Sequence, residues 1–201
     1  RSNYKVQEVK NVYLKSILSI GYPIDTSVRE EFQLYSNFIR TASLEGSNID
    51  YNYDHFLFNI LIPYTEDLNF NIKLTAGASD VEREVYNAGY KQNIFEIGGK
   101  GSLRGYNWKG ISSSHYQLST LEIWYGWIGL FYDRAVIFDS HGNVFNQSYF
   151  NDLSDNIFQN SYNGIGLSFG DSDYNLSFAK ELSGNKGVTM YISFGEPLQY
   201  W

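Results

Sequence analysis

The chain has 201 residues, with 18 Tyr, 14 Phe, no cysteine and a formal charge of −7. Without thiols it can hold no disulfide frame, thiolate metal site or cysteine nucleophile, and its acidic balance argues against a nucleic-acid partner, which needs a basic footprint. No apolar run approaches the ~20 residues of a spanning helix. The negative mean hydropathy still permits a membrane, because barrel strands carry their apolar face at every second residue. The length suggests one domain, and a start at Arg1 instead of Met leads us to expect a mature or trimmed product.

In chain order, residues 1–27 read as an N-terminal segment, a linker or an extra strand. Within them 10–21 alternates only weakly, diluted by Lys15 and two serines. Residues 28–39 alternate around Phe32, Leu34 and Phe38. Residues 49–62 begin with Ile49, Tyr51 and Tyr53 against Asp50, Asn52 and Asp54, then turn apolar on both faces. The clearest strand is 68–78, where Leu68, Phe70, Ile72, Leu74 and Ala76 oppose Asn69, Asn71, Lys73 and Thr75. A period of two puts each set on its own face. Strands are predicted again at 115–125, 127–138, 161–170, 173–182 and 187–198. In the third of these, Gly164, Gly166 and Ser168 lie beside Ile165, Leu167 and Phe169, the pattern of a tightly filled interior and a greasy exterior. The expected fold is all-β and antiparallel, with about eight strands, occupying residues 28–201.

The connections sort by length. Short turns at 23–26, 64–67, 126–127 and 170–173 alternate with 45–48, a long 79–113 loop, a 139–160 loop and 183–186. Outer-membrane barrels have short periplasmic turns and longer external loops, and long loops in a chain of this size tend to be functional. A soluble β-sandwich or lipocalin-like barrel with Tyr-rich strands is the alternative on pattern alone.

The 79–113 loop contains Phe95-Glu96-Ile97-Gly98-Gly99, succeeded by Leu103-Arg104-Gly105-Tyr106. A Gly pair leading into a hydrophobic-Arg-Gly-aromatic tetrad resembles the loop signature of the BamA/TamA-type outer-membrane assembly and translocation superfamily. The strands beyond the tetrad are similar in order: Leu121-Glu122, then Leu130-Phe131-Tyr132-Asp133 with Ala135 where the family usually has Gly. Gly164-Ile165-Gly166-Leu167 and Leu176-Ser177-Phe178-Ala179-Lys180 continue the likeness. The end of the chain, with Ser193, Gly195, Leu198, Tyr200 and Trp201, resembles the C-terminal strand signal read by barrel-assembly machinery. The resemblance implies a bacterial outer-membrane location in a Gram-negative cell and a non-enzymatic role in inserting or translocating proteins. Outer-membrane lipids and client outer-membrane or secreted proteins would be its partners, with no cofactor. A barrel anchor that displays or exports an attached domain, of the patatin-like autotransporter type, or a minimal pore, are the other functions it allows. Family members have sixteen strands, eleven of them before the signature loop, whereas three or four precede it here. Either an eight-stranded barrel closed within one chain or a half-barrel completed by a second copy in a homodimer is compatible with the pattern.

In the family the signature loop folds back into the lumen. A guanidinium removed from water needs an acceptor, and Arg suits a carboxylate in a two-pronged fork. On 127–138, Leu130, Tyr132, Val136 and Phe138 share one face and leave Asp133 on the other. On 115–125, Leu121, Ile123 and Tyr125 leave Glu122 opposite. Both acids therefore point inward if the apolar faces meet lipid. The expectation is a latch in which Arg104, held by Leu103, Gly105 and Tyr106 and shaped by Gly98 and Gly99, pairs with Asp133 and with Glu122. The alternative is Arg104 solvated on an exposed loop. Gly98–Ser102 is not a phosphate loop, since the Lys-Ser/Thr signature and a following helix are missing. His55, His115 and His141 lack ligand spacing, so no metal is expected.

Overall fold

The computed structural model describes residues 16–22, 32–42, 52–79, 94–140, 143–170, 174–184 and 186–194. Alternating side chains favour pleated backbone, and most of these residues pair into one antiparallel sheet. Its strands are β1 (Ser16–Tyr22), β2 (Phe32–Ala42), β3 (Asn52–Pro63) and β4 (Leu68–Ser79), then, after the long loop, β7 (His115–Tyr125) and β8 (Ile128–Phe138). It ends with β9 (Ser161–Gly170), β10 (Tyr174–Glu181) and β11 (Thr189–Phe194). The order β1-β2-β3-β4-β7-β8-β9-β10-β11 is a meander, each strand beside its predecessor in the sheet. Two short strands, β5 (Phe95–Ile97) and β6 (Ile111–Ser113), form a separate hairpin inside the long loop.

The all-β antiparallel expectation therefore holds, but the sheet is not closed into a barrel. Among the described residues β1 and β11 stand at opposite edges and do not pair. The weak 10–21 pattern supplies a ninth strand, β1, and that odd number matters. In a meander the first and ninth strands run the same way, so they could close only through a parallel pair, whereas β2 and β11 run antiparallel. The 139–160 connection is also more than a loop. It contains a helix, α1 (Gln147–Asn156), whose Tyr149 and Leu153 pack with Val144 and Ile157 on Ala76, Ala78, Val136 and Phe138.

The two faces of the sheet differ in kind. Ile72, Leu121, Leu130, Ile165, Leu167, Met190 and Ile192 lie on one face and are exposed. At its short-turn end this apolar band meets Tyr64, Tyr125, Trp127, Tyr174 and Phe194, all exposed aromatics. On the other face lie Lys73, Thr120, Asp133, Ser168 and Ser177, of which all but Lys73 are buried. That polar face is covered by the 94–113 segment, whose Phe95, Ile97, Leu103 and Tyr106 form a core with Tyr116, Leu118 and Ala135. We call the covered face inner and the apolar face outer. No helix among the described residues is long and apolar enough to cross a membrane, which has no bearing on strands.

Candidate functional site: a loop arginine held on the inner face

Strand register builds the floor of the site. Running across the inner face, Asn59, Lys73, Thr120, Asp133, Gly164 and Glu181 are successive partners in one row. The next row is Asn71, Glu122, Phe131, Gly166 and Ala179. The carboxylates of Asp133 and Glu122 thus belong to neighbouring rows on neighbouring strands, close enough for one side chain to reach both.

The loop arrives folded on itself. Gly98 and Gly99 have φ of 121° and 93°, a region closed to most side chains. The Gly98 N–H donates to Ser102 Oγ at 2.8 Å and the Gly99 N–H to the Leu103 carbonyl at 3.1 Å. Leu103 is fully buried in the inner core. Burying Leu103 turns Arg104 down onto the floor. The Arg104 Nε donates to Asp133 Oδ2 and Nη2 to Asp133 Oδ1, both at 2.7 Å, the fork geometry that a guanidinium and a carboxylate share. Nη1 donates to Glu122 Oε1 at 2.6 Å, and the Arg104 backbone N–H adds a fourth bond, to Asp133 Oδ2 at 3.0 Å. The guanidinium lies 3.5 Å from the centre of the Phe131 ring, close enough for a cation–π contact. Glu122 is gripped from behind by Asn71 Nδ2 at 3.2 Å and Trp124 Nε1 at 3.4 Å. Burial by itself would push the Arg104 guanidinium down, but hydrogen bonds and charge from Asp133, with the charge of Glu122, outweigh it and raise it.

Gly105 (φ 94°) then turns the chain, with Glu181 N only 2.7 Å from where a Cβ would stand. Its N–H donates to the Tyr191 hydroxyl at 3.0 Å, which in turn donates to the Tyr106 carbonyl at 3.2 Å. Tyr106 lies edge-on to Tyr162 at 5.8 Å, and its own hydroxyl accepts from Asn163 N–H at 3.2 Å. The loop is thereby bonded to β7, β8, β9 and β11. Arg104, Asp133 and Glu122 are brought together, with Leu103, Gly105 and Tyr106 flanking them and Gly98 and Gly99 shaping the approach.

Several participants went unread in the sequence. Gly164 is the seat beneath the latch: a Cβ there would lie 2.0 Å from the Arg104 carbonyl oxygen. Phe131, Asn71, Trp124, Tyr191 and Lys73 complete the surroundings. For Gly164 the signal was its place in the small-residue set Gly164, Gly166 and Ser168, whereas its position opposite Asp133 comes from register. Of the C-terminal signal residues, Ser193 lies on the inner face of β11 opposite Asn175, whose carbonyl its hydroxyl meets at 3.3 Å. Gly195, Leu198, Tyr200 and Trp201 lie outside the described residues, as do the 23–26 and 45–48 turns and His141. No family model matches the chain, and no curated protein is significantly similar to it.

Proposed function

We propose that this chain is a transmembrane β-barrel segment of the BamA/TamA type, which acts in inserting or translocating proteins at the bacterial outer membrane. The observation that carries the reading is the distribution of its two faces. Away from the end covered by α1, the outer face of the sheet is apolar, exposed and edged with aromatics, while the inner face is polar and covered by a charged loop. A barrel in lipid needs that arrangement, with apolar residues outward, an aromatic girdle and a polar interior, and open sheet edges in lipid demand a partner. In this reading the 94–113 loop is a lumenal latch fastened by Arg104. The open edges are met either by closing the sheet on itself within one chain or by the strands of a second copy.

The membrane part is tested by folding the chain into phosphatidylcholine vesicles and following heat-modifiable mobility. Leu130 is a little over half exposed on the outer face and close to the aromatic girdle, so Leu130→Arg should cost about 1–2 kcal/mol in a bilayer, between the ~2–4 of the midplane and the ~0–1 of the interface, but almost nothing at an exposed site in water. A chain that folds without detergent or lipid, and tolerates Leu130→Arg unchanged, would sink the reading. The assembly role is tested by adding an unfolded client barrel to vesicles that carry the protein. Faster appearance of the folded client band is expected, and no acceleration argues for an anchor or pore instead.

A further inference from the structure

Apart from Arg40 and Asp54, which pair with each other at 3.6 Å on β2 and β3, the outward charges of the described strands are Arg134 and Lys180, which lie close together. On β8 the outward residues run Ile128, Leu130, Tyr132 and then Arg134. On β10 they run Tyr174, Leu176, Phe178 and then Lys180. Each cation stands six residues from the short-turn end of its strand, about 20 Å along it at ~3.4 Å per residue. At the ~35–45° tilt of barrel strands that is roughly 15 Å of height, within the ~25 Å apolar band of a spanning barrel, from which long basic side chains snorkel toward the headgroups. Asn163 is the first outward polar residue of the intervening β9, directly opposite Arg134, and Ile165 next to it is opposite Lys180. Arg134 and Lys180 are thus two strand spacings and two residues apart, roughly 12 Å between backbones, a gap that two long side chains can close.

Neither cation has a carboxylate in an ion pair among the described residues. Arg134 Nη2 donates to the Ile157 carbonyl just beyond α1, and its guanidinium lies 6.0 Å from the Phe158 ring, yet its Nε, shielded from solvent, has no hydrogen-bond partner. Phe158 is itself the most exposed large apolar side chain described, at 86%. Tyr132 O–H donates to Asn163 Oδ1 at 2.6 Å, leaving that amide oriented between the two cations. Two cations without carboxylate partners beside an exposed aromatic ring, where the uncovered apolar surface gives way to α1, complement one ligand. We propose that Arg134 and Lys180 bind the phosphate of an anionic lipid headgroup, with Phe158 seated among the adjoining acyl chains.

This site rests on the membrane reading of the chain, and the experiment separates the two. The full chain is folded in detergent, offered equal amounts of phosphatidylglycerol and phosphatidylcholine, and the retained lipid is counted by native mass spectrometry. Phosphatidylglycerol should be retained preferentially. Lys180→Gln should lower that retention about fivefold, as expected for one basic group at a lipid surface. Arg134→Gln should do the same, and Lys109→Gln, which sits on the loop paired with Glu96, should leave it unchanged. Lys180 makes no side-chain contact on which α1 depends, so it stays informative even if Arg134→Gln loosens the helix. Equal retention of the two lipids, or full phosphatidylglycerol retention in Lys180→Gln, overturns the proposal. Displacement of the lipid by excess inorganic phosphate overturns its lipid source. Failure of the wild-type chain to enter phosphatidylcholine vesicles would instead overturn the barrel itself.

Discussion

Arg104→Ala removes the cation on which one buried and one partly buried acid converge. Asp133, whose side chain has no exposure, loses both side-chain donors and keeps only the Arg104 N–H. Glu122 fares better, retaining Asn71 and Trp124. Breaking a buried pair from one side costs about 3–5 kcal/mol, and loss of the stacking on Phe131 falls within the same event and is not added. With a urea slope of ~2 kcal/mol per molar, a cost of about 4 kcal/mol moves the unfolding midpoint down by about 2 M. The assay is urea titration of the protein folded in detergent micelles, read by heat-modifiable mobility and tryptophan fluorescence. Arg104→Lys should recover only part of the loss, because an ammonium cannot fill both Asp133 oxygens and still reach Glu122 in one plane. A double variant, Arg104→Met with Asp133→Leu, should recover more than either single change, since it leaves no orphaned charge. A midpoint shift under about 0.5 M for Arg104→Ala corresponds to the ~1 kcal/mol of an exposed pair and would refute the latch.

Gly164→Ala places a methyl group 2.0 Å from the Arg104 carbonyl oxygen, so the loop has to rise from its seat. Limited trypsin digestion should then cut at Lys100, Arg104 or Lys109 faster than in wild type, and unchanged cleavage would show that the loop is not held there. Tyr149→Phe deletes the hydroxyl that donates to the Tyr116 carbonyl at 2.6 Å and should cost about 1 kcal/mol, measured as a lower urea midpoint with the fold retained. Removing residues 1–31 takes away β1 and leaves eight strands whose edges, β2 and β11, run antiparallel. That variant should retain a heat-modifiable band with monomeric mass in detergent, and a dimer or aggregate would argue against closure within one chain.

Strand positions were legible because alternation is a local property. The predicted 115–125 and 161–170 coincide with β7 and β9, and 68–78 is one residue short of β4. β1 was underrated because Lys15 and the serines dilute its pattern, yet seven backbone pairings with β2 need no apolar side chain. Helix α1 was missed because QSYFNDLSDN is short, rich in Asn and Asp and has no acidic first turn, although Tyr149, Leu153 and Ile157 recur at helical spacing. Its helicity comes from packing Tyr149 and Leu153 onto Val136 and Phe138, which only the tertiary fold brings near. For the site, side-chain parity alone put Asp133 and Glu122 on the face opposite the apolar residues. Parity could not give register, and the roles of Gly164, Phe131 and Tyr191 depend on register.

The inner face also explains why the loop charge is carried without a loose end. Lys73 sits in the same row as Asp133 and interacts electrostatically with Glu122, Asp133 and Arg104, so two cations face two carboxylates. A set that sums to zero suits a covered surface, because desolvating an unbalanced charge costs several kcal/mol. A soluble sandwich would give no reason for this, since it buries apolar faces against each other and leaves polar ones wet. Here only the end of the apolar face next to α1 is covered, over Ala76, Ala78, Val136 and Phe138. Ile72, Leu121, Leu130, Ile165 and Ile192 face outward uncovered, while the charged face has a lid of its own, closed by Leu103 and fastened by Arg104.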